Sequence, residues 1–256
     1  MDSDLAAIVD ALRAQHDELA GLLAPLNDEG WSAPTRCVGW TVSDVVLHLA
    51  QTDELALASA GGRFLEAGAA MLGHPMTSAV TVDDMVGQMV ARDRDAPGKD
   101  VFQRWQGAAT GVRNALLNSD DRGRLQWVTG WLSTRTLTTT RLSECWIHTG
   151  DVADALGRPL PPTDRLWHIA RLAWRTIPYA FARADLTLTG PVAFELTAPN
   201  GSRWDFGADA AALTVVHGTA ADVCAIAGRR ATPDEVPVHA DGPDAEAVLS
   251  LMRTYA

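Results

Sequence analysis

The sequence predicts a mainly α-helical N-terminal bundle followed by a small α+β domain, with the first at 1–160 and the second, including a connecting helix, at 161–256. Three observations point to it. Apolar residues recur at helical spacing through most of the first half. The run Gly157-Arg158-Pro159, followed by Leu160-Pro161-Pro162, punctuates the chain. After Asp185 the pattern changes to short alternating segments separated by turn signals. A length of 256 residues suits one large domain or two modest ones, at about 100–200 residues each. A hydrophobic fraction of 47% and a charged fraction of 21% are ordinary globular values, so a packed core is expected.

Leu5, Ile8, Val9, Leu12, Leu19, Leu22 and Leu23 predict a first helix from Asp4 to Leu23, ended by Pro25 and the Asn27-Asp28-Glu29-Gly30 run. Trp31 to Trp40 reads as a loop, because Pro34 biases Ala33 away from helix and Gly39 permits a turn. Thr41, with Asp44 three residues on, is a helix cap for a second helix running through Val45, Val46, Leu49 and Leu55 towards Gly61-Gly62. Further helices are predicted at Val82–Val90 and Val101–Asn118, with a polar loop between them. Gly123–Thr134 is ambiguous. A long helix from about Ser133 to Leu156 closes the first half, and another spans Asp164 to Arg183, with Pro178 inside it. Val192–Leu196, Arg203–Phe206, Leu213–Val216 and Val236–Ala240 read as strands, and Ala220–Ala227 and Asp244–Met252 as short helices.

A formal charge of −11 argues against nucleic acid or an anionic membrane surface as partner, since both need a basic face. Cys37, Cys145 and Cys224 are too scattered for a disulfide framework. The opening MDSDLAAIVD lacks a basic n-region and an apolar core, and no run approaches the ~20 apolar residues of a membrane span. A soluble protein of the reducing cytoplasm is expected. One lysine, Lys99, against twenty arginines, with abundant alanine, is the codon signature of a GC-rich genome.

Chemistry concentrates on two helices. Glu144 and His148 are four residues apart on the closing helix and project from one face, with Asp151 three residues further. The pair alone also fits a solvated helix face. His48, on the second helix, points towards the bundle interior, where facing helices can supply ligands to one ion. Two histidines and a glutamate with an open position are the donor set of catalytic zinc, and also suit iron or nickel. Asp151 either orients a ligand imidazole or sits on a solvated edge, and Trp40 either borders the pocket or packs the bundle. Arg229 and Arg230 either grip a carboxylate of a thiol or substrate or form a solvated pair. Asp44 reads as a cap and Cys145 as a packed thiol. Cys37 reads as no nucleophile, and His16, His74, His168, His217 and His239 as ordinary residues.

The run Trp31-x-x-Pro34-Thr35-x-Cys37-x-Gly39-Trp40-Thr41-Val42-x-Asp44-Val45-x-x-His48-Leu49, with Glu144-x-x-x-His148-x-x-Asp151-Val152, resembles the mycothiol-dependent maleylpyruvate isomerase family. That family belongs to the DinB-like metal-binding four-helix bundles. Phe194-Glu195-Leu196, Trp204 and Gly218-x-Ala220-x-Asp222, leading to Gly228-Arg229-Arg230, resemble its sterol-carrier-protein-like tail, so the similarity spans nearly the whole chain. The resemblance implies that His48, Glu144 and His148 hold a divalent metal, usually zinc, with mycothiol as cosubstrate. The segment Trp174-Arg175-x-x-Pro178-Tyr179-Ala180-Phe181-Ala182-Arg183 resembles a metal-binding branch rather than the isomerases proper, so maleylpyruvate itself is not carried over. The GC-rich composition matches an actinobacterial source, where mycothiol is found.

These readings converge on a divalent-metal-dependent enzyme using a low-molecular-weight thiol for S-transfer or thiol-assisted isomerisation of a small electrophile. Two alternatives stay open at this stage. One is a thiol-independent metal-dependent isomerase, lyase or hydrolase acting on a secondary metabolite. The other is a non-catalytic protein binding a metal or small ligand. A small-molecule partner is expected in each, and a homodimer is compatible with all three.

Overall fold

The computed structural model describes residues 4–76, 81–121, 123–208 and 211–254. The chain divides into two compact units, Asp2–Leu160 and Pro161–Ala256. The first contains α1 (Leu5–Leu23), α2 (Asp28–Ser32), α3 (Val42–Ala60), α4 (Phe64–Leu72), α5 (Val82–Asp93), α6 (Gly98–Leu117), strands β1 (Arg124–Trp127) and β2 (Gly130–Ser133), and α7 (Thr134–Ala155). Helices α1 and α3 each pack against both α6 and α7, so the four long helices close into a ring. This is the mainly helical bundle expected from the sequence.

Local chemistry sets where these helices begin. Asp4 accepts from the Ala7 amide at the start of α1, and Ser133 accepts from Thr136 at the start of α7. Thr41 and Asp44 form a reciprocal capping box that starts α3, satisfying two amide donors that would otherwise lack partners. The stretch before it is less open than the sequence reading allowed. The Asn27 side chain caps α2, drawing Trp31 into a short helix and burying it, and Pro34 and Thr41 pair as an isolated bridge.

Two further features add to the sequence reading, which has no helix at 64–72 and leaves 123–134 ambiguous. Helix α4 was not anticipated: Gly61-Gly62 before it and Gly68 and Gly73 around it mask a short amphipathic segment whose Phe64 is buried. Residues 124–133 form an antiparallel hairpin, with Trp127 opposite Gly130. Phe64 and Trp127 meet in a cluster with Leu55, Met89, Val112, Leu116 and Leu137, which ties both additions to α3, α5, α6 and α7.

Helix α7 buries polar residues as well as apolar ones, among them Thr134, Thr138, Thr139, Arg141, Ser143, Thr149 and Asp151. Several hydroxyls satisfy themselves within the helix. Thr138, Thr139 and Thr149 donate to the carbonyls four residues back, at 2.8, 2.9 and 2.6 Å. Arg141 and Asp151 find partners from other elements, and these define the site.

The second unit holds α8 (Leu166–Arg183), β3 (Val192–Thr197), β4 (Arg203–Phe206), β5 (Thr214–Thr219), α9 (Ala220–Ala227), β6 (His239–Asp241) and α10 (Ala245–Leu251). Its sheet has the order β4-β3-β5-β6, with β3 and β5 parallel and the outer pairs antiparallel. The three helices pack on the sheet, and Phe194, Leu196, Trp204, Phe206 and Val216 are buried. Helix α8 runs through Pro178 as one element. Among the described residues, no helix is long and apolar enough to cross a membrane.

Candidate metal centre

His48 of α3 and Glu144 and His148 of α7 bring one ligand atom each to within 4.8 Å of one another. The His48 Nε2 and Glu144 Oε1 atoms lie 2.7 Å apart. The His48 and His148 rings meet edge to face, with centroids 4.9 Å apart. Side-chain exposure rises from 7% at His48 through 12% at His148 to 20% at Glu144, so the three donors open outward on the Glu144 side. Two imidazoles and a carboxylate on facing helices are a donor set that fits a borderline divalent ion such as zinc.

Each donor on α7 is held from behind. Asp151, fully buried, lies 2.9 Å from His148 Nδ1, so that nitrogen carries the proton and the other ring nitrogen is free to bind. Burial pushes the His148 imidazole below its usual range despite this carboxylate, which keeps the ring neutral and able to ligate. Arg141 Nη1 donates to Glu144 Oε2 at 2.6 Å. Burial opposes ionisation of Glu144, but Arg141 and His48 outweigh it and hold the carboxyl well below the ordinary range. Glu144 is therefore an anion at neutral pH.

Arg141 extends the site into the bundle. It is 1% exposed and also bonds Asp53 Oδ1 at 2.9 Å and Thr52 Oγ1 at 2.8 Å, both on α3. Beyond Asp53 lies His16 of α1, its Nε2 3.7 Å from Asp53 Oδ2 and its Nδ1 2.6 Å from Arg113 Nη1. A guanidinium only donates, so Nδ1 accepts and the proton sits on Nε2, facing the carboxylate. Burial, aided by Arg113 and Arg141, depresses the His16 pKa strongly, and the ring stays neutral.

This depression has a stability consequence. The unfolded chain takes up a proton on His16 below about pH 6.5, while the folded chain does not, so stability is complete above that pH and falls below it. Thermal melts of the metal-free protein between pH 7.5 and 5.5 should show this fall. The His16→Gln variant should flatten it, by up to about 1.4 kcal/mol per pH unit. Identical pH slopes for both proteins would show that His16 titrates normally.

Trp40 borders the centre: its ring centroid lies 5.4 Å from that of His48. Asp44 acts as a helix cap and also receives Arg94 at 3.1 Å. Cys145 is buried and its thiol is pushed far up by burial, in keeping with a packed residue. Arg229 Nη1 donates to the Ser250 carbonyl at 3.1 Å, and Arg230 Nη1 to the Gly228 carbonyl at 3.2 Å, both within the C-terminal unit.

The sequence reading missed Arg141, Asp53 and Cys37. Cys37, which the sequence presents only as no nucleophile, has its Sγ 3.3 Å from Asp151 Oδ2, on the carboxylate that holds His148. One signal for Arg141 was available. It stands three residues before Glu144, so it shares that helix face and cannot be solvated if Glu144 points inward.

The family model of the mycothiol maleylpyruvate isomerase N-terminal domain matches residues 12–153, which include all of these groups except the C-terminal arginines. Uncharacterized proteins from two strains of Mycobacterium tuberculosis are each 35% identical over 260 residues, spanning 99% of this chain and 97% of theirs. Crystal structures of the mycothiol-dependent maleylpyruvate isomerase and of a histidine-to-alanine mutant of it share the fold. Each has a TM-score of 0.61 at 17% identity, over 91% of this chain and 92% of that one.

Proposed function

Since this chain belongs to the mycothiol maleylpyruvate isomerase N-terminal domain family, we propose that it is a divalent-metal-dependent enzyme of the cytoplasm. It uses mycothiol, or a closely similar thiol, for isomerisation of or S-transfer to a small electrophilic substrate. His48, Glu144 and His148 hold the ion, with zinc favoured by the donor set. The observation that carries this reading is the convergence of the three donors from α3 and α7, with Asp151 and Arg141 fixing two of them from behind.

The ion, when bound, lowers the pKa of a thiol beside it, so that a thiolate is available at neutral pH. The chain's own residues do the rest. Asp151 fixes the tautomer of His148, so its free nitrogen always faces the site. Arg141 anchors one oxygen of Glu144 and leaves the other directed towards His48. Trp40 lies beside the His48 ring, tilted at 53°, and gives the site an apolar wall on that side.

Elemental analysis of the purified protein, with His48→Ala and Glu144→Ala beside it, tests the centre. About one zinc per chain at this centre is expected in the wild type, absent from both variants. The thiol is tested separately, by turnover of maleylpyruvate and related unsaturated acids with and without mycothiol. A wild type whose metal content matches that of both variants would overturn the metal assignment. Metal-dependent turnover indifferent to mycothiol would overturn the thiol.

A further inference from the structure

The outer face of the C-terminal sheet carries a polar row that crosses all four strands. Register sets Asp205 of β4 beside Glu195 of β3, Glu195 beside His217 of β5, and His217 beside His239 of β6. The alternate residues Phe206, Phe194 and Val216 are buried on the helix-covered face, so the polar row points the other way. Asp241, two residues beyond His239, projects from the same outer face. These histidines read as ordinary residues in the sequence, because their pairing depends on strands distant along the chain.

The row is divided by its charges. Arg203 is committed to Asp205 Oδ1 at 2.7 Å and Glu195 Oε1 at 2.9 Å. His217 lies between two carboxylates, with Nδ1 3.6 Å from Glu195 Oε2 and Nε2 3.6 Å from Asp241 Oδ2. Both distances are too long for hydrogen bonds. The His239 ring stacks on His217, with centroids 5.0 Å apart and planes 24° apart. One donor atom from each of His217, His239 and Asp241 lies within 4.8 Å of the others.

We propose that His217, His239 and Asp241 form a second binding site for a borderline divalent cation such as zinc. Two ligands of a tetrahedral zinc ion, at about 2.0–2.1 Å each, sit about 3.3 Å apart. The 3.6 Å between His217 Nε2 and Asp241 Oδ2 therefore needs only a small closure. Two imidazoles select zinc, nickel or copper over magnesium and calcium. Glu195, 3.6 Å from the far nitrogen of His217, stands where a slight approach would let its carboxylate orient the ligand ring. Strand β6 is three residues long and lies at the sheet edge, so an ion shared by β5 and β6 ties that edge down beyond its backbone ladder. None of this depends on the helical centre or on thiol chemistry.

Equilibrium dialysis of the full chain against zinc, followed by elemental analysis, tests the site in a His48→Ala background that lacks one donor of the helical centre. About one zinc per chain is expected there, and its loss when His217→Asn and His239→Asn are added with an unchanged circular dichroism spectrum. A His48→Ala chain without zinc, or one whose zinc survives both asparagine changes, would overturn the proposal. Histidine-ring NMR of the unmutated chain provides a reading independent of any variant's folding. Zinc must shift the ring nitrogens of both His217 and His239, and silence of either ring at saturating zinc rejects the site.

Discussion

Replacing Arg141 with methionine is expected to destabilise the helical unit by about 3–5 kcal/mol, the usual cost of removing one partner from a buried ion network. Its guanidinium is 1% exposed and answers two carboxylates, Asp53 at 2.9 Å and Glu144 at 2.6 Å. Methionine matches the length of the arginine stem, so packing loss is small, although the guanidinium's place over the Trp127 ring, 5.8 Å from its centroid, is lost with the charge. What remains is an unpaired carboxylate at Asp53, which is 2% exposed and already pushed upward by burial against the pull of Arg141. Adding Asp53→Asn removes that stranded charge, so the double variant should recover much of the loss. Denaturant melts of the three proteins measure this. A single variant within about 1 kcal/mol of the wild type would mean that water reaches Asp53 and the network is not dry.

The long helices were legible because their signals are local. Apolar residues at helical spacing mark α1 and α3, and Thr41 with Asp44 marks the start of α3 by the same reciprocal bonds the structure contains. What the sequence hid was structure set by distant partners. The 124–133 hairpin turns at Val128-Thr129, which carries none of the Asn-Gly or Asp-Gly chemistry of tight hairpins, and its Trp127 is fixed by Phe64 from α4. Helix α4 is only nine residues long and carries Gly68 in its middle, so it is marginal in isolation, and burial of Phe64 helps to hold it.

The same division runs through the site. Glu144 and His148 stand at helical spacing and His48 lies on the second helix within the motif, and the fold brings the three together. Their supports could not be found that way. Asp53 and Arg141 are charged residues on helices, which composition alone assigns to solvent. Only the α3–α7 packing shows that each is buried because the other is there. Cys37 is seven residues before α3's first buried polar residue, Asp44, and its meaning depends on Asp151 more than a hundred positions away. Long-range pairing of this kind also separates His217 from His239.

Asp151→Asn is expected to weaken zinc binding 10–100-fold, about 1.4–2.7 kcal/mol, with little effect on the fold. Asparagine has the same shape, so the buried space beside His148 stays filled. It lacks the charge that raises the basicity of the imidazole, and its amide nitrogen can face Nδ1 and force the proton onto the other ring nitrogen. In that tautomer the lone pair aimed at the ion is gone. Asp154 supplies the control one turn along the same helix: it is 63% exposed and meets Arg36 at 3.7 Å, so Asp154→Asn should leave affinity unchanged. Cys37→Ser separates this account from its nearest rival. Cys37, His148 and Asp151 also bring ligand atoms within 4.8 Å of one another, and if that trio held the ion, serine would abolish binding as surely as asparagine at 151. If instead Asp151 acts only through His148, serine keeps a hydrogen-bond donor on the carboxylate and affinity holds. A chelator-competition titration of the four proteins distinguishes the two arrangements. Loss of zinc in Cys37→Ser would move the ligand set away from His48 and Glu144, whereas wild-type affinity in Asp151→Asn would show that Asp151 does not support His148 as a ligand.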